Sequence, residues 1–365
     1  MGQPRSFNTF VSAIIAIFFC IILISSVGAA NLTSIETPGI FYQQIEVISD
    51  FLSIQNLTTF DGTQLSAYII NGPSQPLSEF QSEREASLLA NSPEALLPNF
   101  PSYSWVFGCS AVSAAMIAAW HDRGEFINIY TGPANSGVMP LSDTVWSTWS
   151  DGKQNYTGNP LVASRKGLDG HGARGSIDDY WIYSGSGSPD PYLTDGWNEH
   201  TWGNSIGDYM KTSQSTCGNI DGSTTFWFYS NNLEKLHCSA MPALGVADKD
   251  GTYGRMLFYQ ARGYLVGDCY NQKIDNSGGF TLANLKVEID AGYPVLLNLE
   301  GHSVVAYGYN GSTIYIRDTW DSNPNNVYTM PWGGSYNGMK MVSVSIAHPA
   351  LIKGDHLLFL PAILK

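Results

Sequence analysis

The chain has 365 residues, of which 44% are hydrophobic, 13% aromatic and only 13% charged. This composition excludes a disordered chain and provides enough apolar surface for the core of one large domain or two ordinary ones. The formal net charge is −13 and no basic stripe is present, which argues against nucleic acid as a partner.

The first 30 residues are typical of a secretory signal peptide. Arg5 precedes a long apolar run at 11–24, and small residues suited to cleavage follow at 25–30. An anchor that is not cleaved is the alternative, because the run is somewhat long. We expect a protein that is secreted or attached to the cell surface, with no membrane contact once the signal is removed.

The rest of the chain divides into three predicted parts. Residues 31–100 are polar, carry a Gly-Pro turn signal at 72–76 and form an N-terminal extension. This extension has two alternative interpretations. It is either a removable pro-segment or a strand-bearing part of the main domain. The main domain covers 101–348. An apolar tail at 349–365 follows, either as a final edge strand or as an export or surface signal.

The main domain begins with a predicted helix and ends in predicted strands. The first helix runs from Cys109 or Ser110 to about His121, and its face of small side chains allows close packing. Further helices are expected at 176–183, 205–212, 255–262 and 282–290. Asn310-Gly311 is a strong hairpin signal. It falls among predicted strands at 294–299, 303–309, 313–317 and 341–347.

Cys109 is the strongest candidate for chemistry in the chain. It follows Gly108 at the start of the first predicted helix, where unpaired backbone N–H groups and the positive end of the helix dipole favour a thiolate. The thiolate is the nucleophilic form of cysteine. A buried structural cysteine at a helix start is the alternative.

A cysteine nucleophile needs a histidine to take its proton and an acceptor that fixes the imidazole tautomer. His302 and Asp318 lie at the same end of the predicted hairpin. With a strict two-residue turn, their side chains would point to opposite faces. We therefore predict a three-residue loop or a one-residue bulge, which brings Asp318 opposite Val304 and diagonal to His302.

Four cysteines remain after the signal, at positions 109, 217, 238 and 269. An exported protein meets an oxidising compartment, in which disulfides persist. If Cys109 is a reactive thiol, one disulfide and one spare cysteine remain. Sequence does not fix the connectivity, and we favour Cys238–Cys269.

Three segments of the main domain resemble a known family. WVFGCSAVSAAM at 105–116, GHSVVAYGY at 301–309 and IRDTW at 316–320 are similar to the secreted bacterial branch of the papain-like peptidases known as cysteine peptidase family 39-like. Its better-known relatives are the bacteriocin-processing peptidase domains. The stretches 130–140 and 174–181 are also similar to that branch, and the resemblance covers about 100–347.

The resemblance implies an α+β, papain-like fold, in which a central N-terminal helix carrying the cysteine packs on an antiparallel sheet carrying His and Asp. It implies a cysteine-type peptidase that hydrolyses peptide or protein substrates. Cys109 would be the nucleophile, His302 the base and Asp318 the group that orients the imidazole.

One part of the papain-like pattern is missing. Such enzymes usually carry a glutamine shortly before the nucleophile as an oxyanion donor, whereas the nearest preceding glutamine here is Gln81. Ser104 or Tyr103 could supply a donor beside the Cys109 backbone N–H. Because loss of one donor costs roughly 2.7–4 kcal/mol of transition-state stabilisation, two alternatives stay open. One is a weak or inactive protein that binds peptides or glycans, and the other is an acyltransferase with the same triad.

We expect no cofactor and no metal. His237-Cys238 lacks the paired spacing of a zinc site, and the acidic turn at 248–251 lacks the twelfth-position Glu of a calcium loop. The expected molecule is a monomer whose partner is its peptide or protein substrate.

Overall fold

The computed structural model describes residues 40–88, 93–130, 134–146, 148–150, 155–163, 205–214 and 217–351. The predicted signal peptide, the predicted helix at 176–183, the similar stretch at 174–181 and the tail from 352 onward lie outside these ranges. Within them, no helix is both long enough and apolar enough to cross a bilayer.

The strands form antiparallel sheets. The larger one has nine strands, with the central order β13-β12-β11-β10-β15-β9-β8, while β14 pairs with β15 and β4 with β11. A second sheet has the order β1-β2-β3-β7, and β5 pairs with β6. The strands are β1 (Ile40–Ser49), β2 (Leu52–Thr59), β3 (Gln64–Ile70), β4 (Ala95–Leu96), β5 (Thr148–Ser150), β6 (Asn155–Thr157), β7 (Thr224–Tyr229), β8 (Leu236–His237), β9 (Leu265–Lys273), β10 (Val295–Leu299), β11 (His302–Asn310), β12 (Thr313–Arg317), β13 (Tyr328–Pro331), β14 (Ser335–Tyr336) and β15 (Met339–Ala350).

The described helices are α1 (Gln81–Ala86), α2 (Cys109–Asp122), α3 (Ile206–Tyr209), α4 (Gly251–Ala261) and α5 (Leu282–Asp290). Short 3₁₀ turns lie at Ser78–Phe80, Ala134–Gly137, Asp143–Val145 and Ala247–Lys249. The mixture of helices with antiparallel sheet agrees with the predicted α+β class. The predicted helix at 205–212 is a single turn, α3, and α4 begins earlier than expected because the Asp250 carboxylate caps it.

Helix α2 packs against β11 and β10 of the large sheet. Alanine favours helix, and the small side chains let the helix approach the sheet so closely that nearly all of it is buried. Ser303 of β11 fixes the helix to the sheet: its hydroxyl lies 2.7 Å from that of Ser110, and its carbonyl accepts from Ser113 at 3.1 Å. The sequence therefore sets the start of α2 directly beside the start of β11.

The β11–β12 hairpin contains the expected one-residue shift. Asn310 pairs with Thr313 across a two-residue turn, whereas Val305 pairs with Arg317, and a bulge lies between Ala306 and Gly308. A one-residue bulge is one of the two features predicted to produce this register. The turn consists of residues 311 and 312, one residue later than the Asn310-Gly311 signal indicates. Continuation of the register places Asp318 opposite Val304.

The N-terminal extension is joined to the main domain by strand pairing. Strand β3 pairs with β7, and β4 pairs with β11 next to the hairpin turn. The described residues, from 40 to 351, group into one compact unit. At the other end, β15 continues to Ala350, so the first residues of the predicted tail still belong to the sheet.

Candidate active site

Cys109 is the first residue of α2 and is completely buried. The chain reaches it through two residues with positive φ, Phe107 at 55° and Gly108 at 140°. A Cβ on Gly108 would overlap with the carbonyl oxygen of Gly222 and would stand 2.5 Å from Thr212 Cγ2. Glycine is therefore required before the cysteine, both for its backbone conformation and for this close approach.

His302 is the first residue of β11 and is also completely buried. Its Nε2 lies 2.9 Å from the main-chain oxygen of Asp318 and 3.3 Å from Thr319 Oγ1. A carbonyl oxygen only accepts, so Nε2 carries the proton and Nδ1 has a free lone pair in the neutral ring. The Trp320 ring stacks on the imidazole at 4.1 Å and holds its plane.

The His302 Nδ1 and the Cys109 Sγ border the same small space. A Cβ added to Gly72 would stand 2.5 Å from Sγ and would overlap still more closely with Nδ1. The bare backbone of Gly72 thus lies against both atoms. This arrangement brings together the two side chains that the sequence proposed as nucleophile and base, although they are almost 200 positions apart.

The surroundings of Cys109 favour the thiolate. Burial raises the pKa of Cys109, but the charge of the neighbouring His302 and the N–H groups of Ser303 and Gly72 outweigh it and lower the pKa overall. The Ser303 N–H donates to Sγ at 3.3 Å. A lowered pKa raises the fraction of nucleophilic thiolate at neutral pH.

The Asp318 carboxylate does not point at His302. Its Oδ2 accepts from Arg84 Nε at 2.7 Å and from the Tyr336 hydroxyl at 2.7 Å, and its Oδ1 accepts from the Trp320 N–H at 3.1 Å. The main-chain oxygen of Asp318, and not its carboxylate, accepts the hydrogen bond from the His302 ring that the sequence predicted for the carboxylate. The physical reason is Arg84, which offers the buried carboxylate an opposite charge.

Thr319 makes this geometry possible. Its φ is 65°, an uncommon value for a β-branched residue. Such a conformation costs about 1–3 kcal/mol and persists only where its surroundings impose it. Here it turns the chain so that the Asp318 carbonyl and the Trp320 ring both face His302.

The two predicted oxyanion donors differ in their availability. The Tyr103 hydroxyl is buried and donates to the Pro140 carbonyl at 2.7 Å, so Tyr103 is already committed and the prediction for it is corrected. Ser104 is partly exposed, donates its N–H to Asp143 Oδ2 at 2.8 Å and pairs with Trp320. It therefore lies beside the tryptophan that covers the imidazole.

The other cysteines are separate from this site. Cys238 and Cys269, the favoured pair, are joined in a disulfide with a Cα–Cα distance of 5.4 Å, and Cys217 is not part of a disulfide. Among the described residues, no group of three or more His, Cys, Asp or Glu side chains could hold a metal ion.

Sequence reasoning missed several residues of the site. Ser303, Thr319 and Trp320 adjoin the chosen histidine and aspartate and could have been found by extending those segments. The sequence around Gly72 indicates only a turn, and Arg84 is 234 positions from its partner Asp318, so neither residue carries a local signal of its role.

A cysteine at a helix start beside an imidazole with a fixed tautomer is the arrangement of thiol-dependent hydrolases. Residues 197–344 match the model of the Peptidase_C39 like family, which confirms the predicted resemblance to this family over that segment. The matched segment contains His302 and Asp318 and begins after Cys109. No curated protein and no solved structure matches the chain.

Proposed function

We propose that the protein is a secreted cysteine peptidase that hydrolyses peptide bonds with Cys109 and His302. The observation that carries the proposal is the shared space between Sγ and Nδ1, with Nε2 of the same ring held by the Asp318 carbonyl. The lowered pKa of Cys109 and the family match support it.

The chemistry follows the general course of covalent catalysis by cysteine. The proton of Cys109 passes to Nδ1 of His302, and Sγ forms a bond to the substrate carbonyl carbon. The C–N bond then breaks, and the amine leaves with the proton from His302. Water, activated by the same imidazole, hydrolyses the thioester and restores the thiol.

Asp318 is a positioning residue in this proposal. Its carbonyl fixes the tautomer that leaves Nδ1 free to take the proton, and its carboxylate anchors the loop on Arg84 and Tyr336. Burial and this carboxylate raise the pKa of Tyr336 far above its usual range, so the hydroxyl remains a donor.

The oxyanion would be held at the start of α2. The first N–H groups of a helix have no partner within it, and the backbone N–H of Cys109 belongs to this set. The Ser104 hydroxyl is the proposed second donor, because Ser104 pairs with Trp320 at the rim of the site.

Two features support secretion. The first 30 residues have the composition of a signal peptide. The Cys238–Cys269 disulfide suits an oxidising compartment, because disulfides are rare in the cytosol.

Digestion of a peptide library tests the function. We expect cleavage products, detected by mass spectrometry, that disappear in Cys109→Ala and in His302→Ala. The matched control Cys217→Ser changes the other described cysteine that is not in a disulfide and should retain cleavage. Because Gly72 covers the site, the digest is run on the wild type and on Gly72→Ala. Cleavage that survives in Cys109→Ala would reject the proposed nucleophile.

A further inference from the structure

We propose that residues 71–76, here called the strap, are a built-in inhibitor that covers the catalytic pair and must move before a substrate can bind. This inference rests on the proposed function of Cys109 and His302. The strap links β3, which ends at Ile70, to the turn and helix at 78–86.

The strap closes the site completely at Gly72. Gly72 is buried, its N–H interacts with Cys109 Sγ, and a Cβ at this position would overlap with His302 Nδ1. The next residue, Pro73, accepts a hydrogen bond through its carbonyl from Trp320 Nε1 at 2.9 Å. Cys109 and His302 are fully buried, so no peptide carbonyl can reach the sulfur while the strap is in place.

The contact at the sulfur is that of an inhibitor and not of a substrate. Hydrolysis requires the carbonyl carbon of the scissile bond to approach the nucleophile along the direction of attack. The Gly72 N–H helps to lower the pKa of the Cys109 thiol. A donor of this kind stabilises the thiolate and is not itself an electrophile.

Both ends of the strap are fixed to the body of the protein. Upstream, the Asn71 N–H donates to the Phe51 carbonyl at 2.9 Å. Downstream, Arg84 forms its buried ion pair with Asp318, and its guanidinium lies 4.3 Å from the centre of the Tyr328 ring.

A second anchor follows Arg84. The Ser87 carbonyl accepts from the Thr329 N–H at 3.1 Å and from the Thr329 hydroxyl at 3.0 Å. The strap is thus held on the same loop that orients His302: Trp320 of this loop binds Pro73 of the strap, and Asp318 binds Arg84 downstream of it. Trp320 and Asp318 therefore link displacement of the strap to the orientation of the His302 ring.

Alkylation of Cys109 by iodoacetamide tests the strap without requiring turnover. The rate is measured at Cys109 by peptide mapping, so that reaction at other cysteines does not count. In the wild type we expect slow labelling that depends on local opening. In Gly72→Ala the added methyl overlaps with both catalytic side chains, and the rate should rise roughly tenfold.

The matched control is Gly278→Ala, where the nearest atom to an added Cβ is Leu233 Cδ1 at 3.8 Å, an ordinary contact. Its labelling rate should equal that of the wild type. Trp320→Phe is a second variant: it keeps an aromatic ring beside His302 but loses the donor to the Pro73 carbonyl, and it should give a smaller rise. If Gly72→Ala does not fold, the labelling rate of Cys109 in Trp320→Phe alone tests the strap.

Two results would overturn the proposal that the strap inhibits the site. One is wild-type Cys109 that reacts as fast as it does in urea-unfolded protein, and the other is no acceleration in the folded variants. Faster labelling of Cys109 together with no cleavage of any library peptide would support the strap and reject the peptidase, so failures of the two proposals are distinguishable.

Discussion

The imidazole of His302 is held by the main-chain oxygen of Asp318, 2.9 Å from Nε2, while the carboxylate of Asp318 binds Arg84. A main-chain oxygen fixes the tautomer as well as a carboxylate does, but it brings no full negative charge to the ring. The negative charge of the Asp318 carboxylate instead pairs with Arg84 and so holds the N-terminal extension on the main domain.

Asp318→Asn separates these two roles. The substitution removes the charge that pairs with buried Arg84, so the free energy of unfolding should fall by roughly 3–5 kcal/mol. The carbonyl that faces His302 is unchanged, so kcat of the folded protein should fall by at most about tenfold, far less than the ~10⁴-fold loss expected when a carboxylate fixes the tautomer. Urea unfolding and kcat are measured together. Unchanged stability with a ~10⁴-fold loss would show that the carboxylate acts on the imidazole.

The lowered pKa of Cys109 predicts the pH dependence of its alkylation. In the Gly72→Ala background, the rate should rise with pH with an inflection below about 8.5, the ordinary cysteine value. His302→Ala removes the leading influence that lowers the pKa and leaves burial, which raises it, so the inflection should move upward. His237→Ala, at an exposed position, is the matched control and should leave the inflection in place. An inflection unmoved in His302→Ala would mean that the two side chains do not interact.

Asp143 gives the protein a second pH dependence, in its stability. Burial raises the pKa of this carboxyl from 3.8 to about 6, and the carboxyl accepts from the Ser104 N–H. Because the folded-state pKa is above the unfolded one, its contribution is fully present below about pH 4 and is lost as pH rises through about 6. Asp143→Asn keeps an acceptor but does not titrate. The decrease in the free energy of unfolding between pH 4 and pH 7 should therefore be smaller in this variant, by up to about 3 kcal/mol. Urea unfolding at pH 4 and pH 7 measures it, and equal losses in both proteins would contradict the assignment.

Gly108→Ala tests the backbone that delivers Cys109. A methyl group there must overlap with the Gly222 carbonyl at a φ that alanine rarely adopts, so we expect a loss of roughly 1–3 kcal/mol or more in the free energy of unfolding. Gly62→Ala is the matched control, because Gly62 also has a positive φ but has nothing within 4 Å of an added Cβ. Equal losses in the two variants would mean that the close approach at Gly108 contributes nothing.

Local signals were sufficient for several parts of the fold and site. Helix α5 is marked by the Thr281 capping box and ends before Gly292, and the β11–β12 hairpin follows from its alternating strands. The requirement that His302 and Asp318 share a face was enough to predict a shift in register, and the bulge provides it.

Contacts between distant segments could not be predicted in the same way. The pairing of β3 with β7, the ion pair of Arg84 with Asp318 and the position of Gly72 against His302 all join parts of the chain more than 150 positions apart. Periodicity and turn chemistry report only on neighbours in the sequence, so a Gly-Pro pair that lies against Cys109 and His302 looks the same as an ordinary turn.

In the proposed function, Cys109 forms a covalent bond to a peptide carbonyl carbon after His302 takes its proton. Rapid acid quenching of Gly72→Ala protein during turnover of a library-selected peptide, followed by peptide mapping, would test it most directly. We expect a thioester on Cys109, present in the Cys217→Ser control and absent from His302→Ala. Peptide cleavage with no acyl group on Cys109, or an acyl group on another residue, would contradict it.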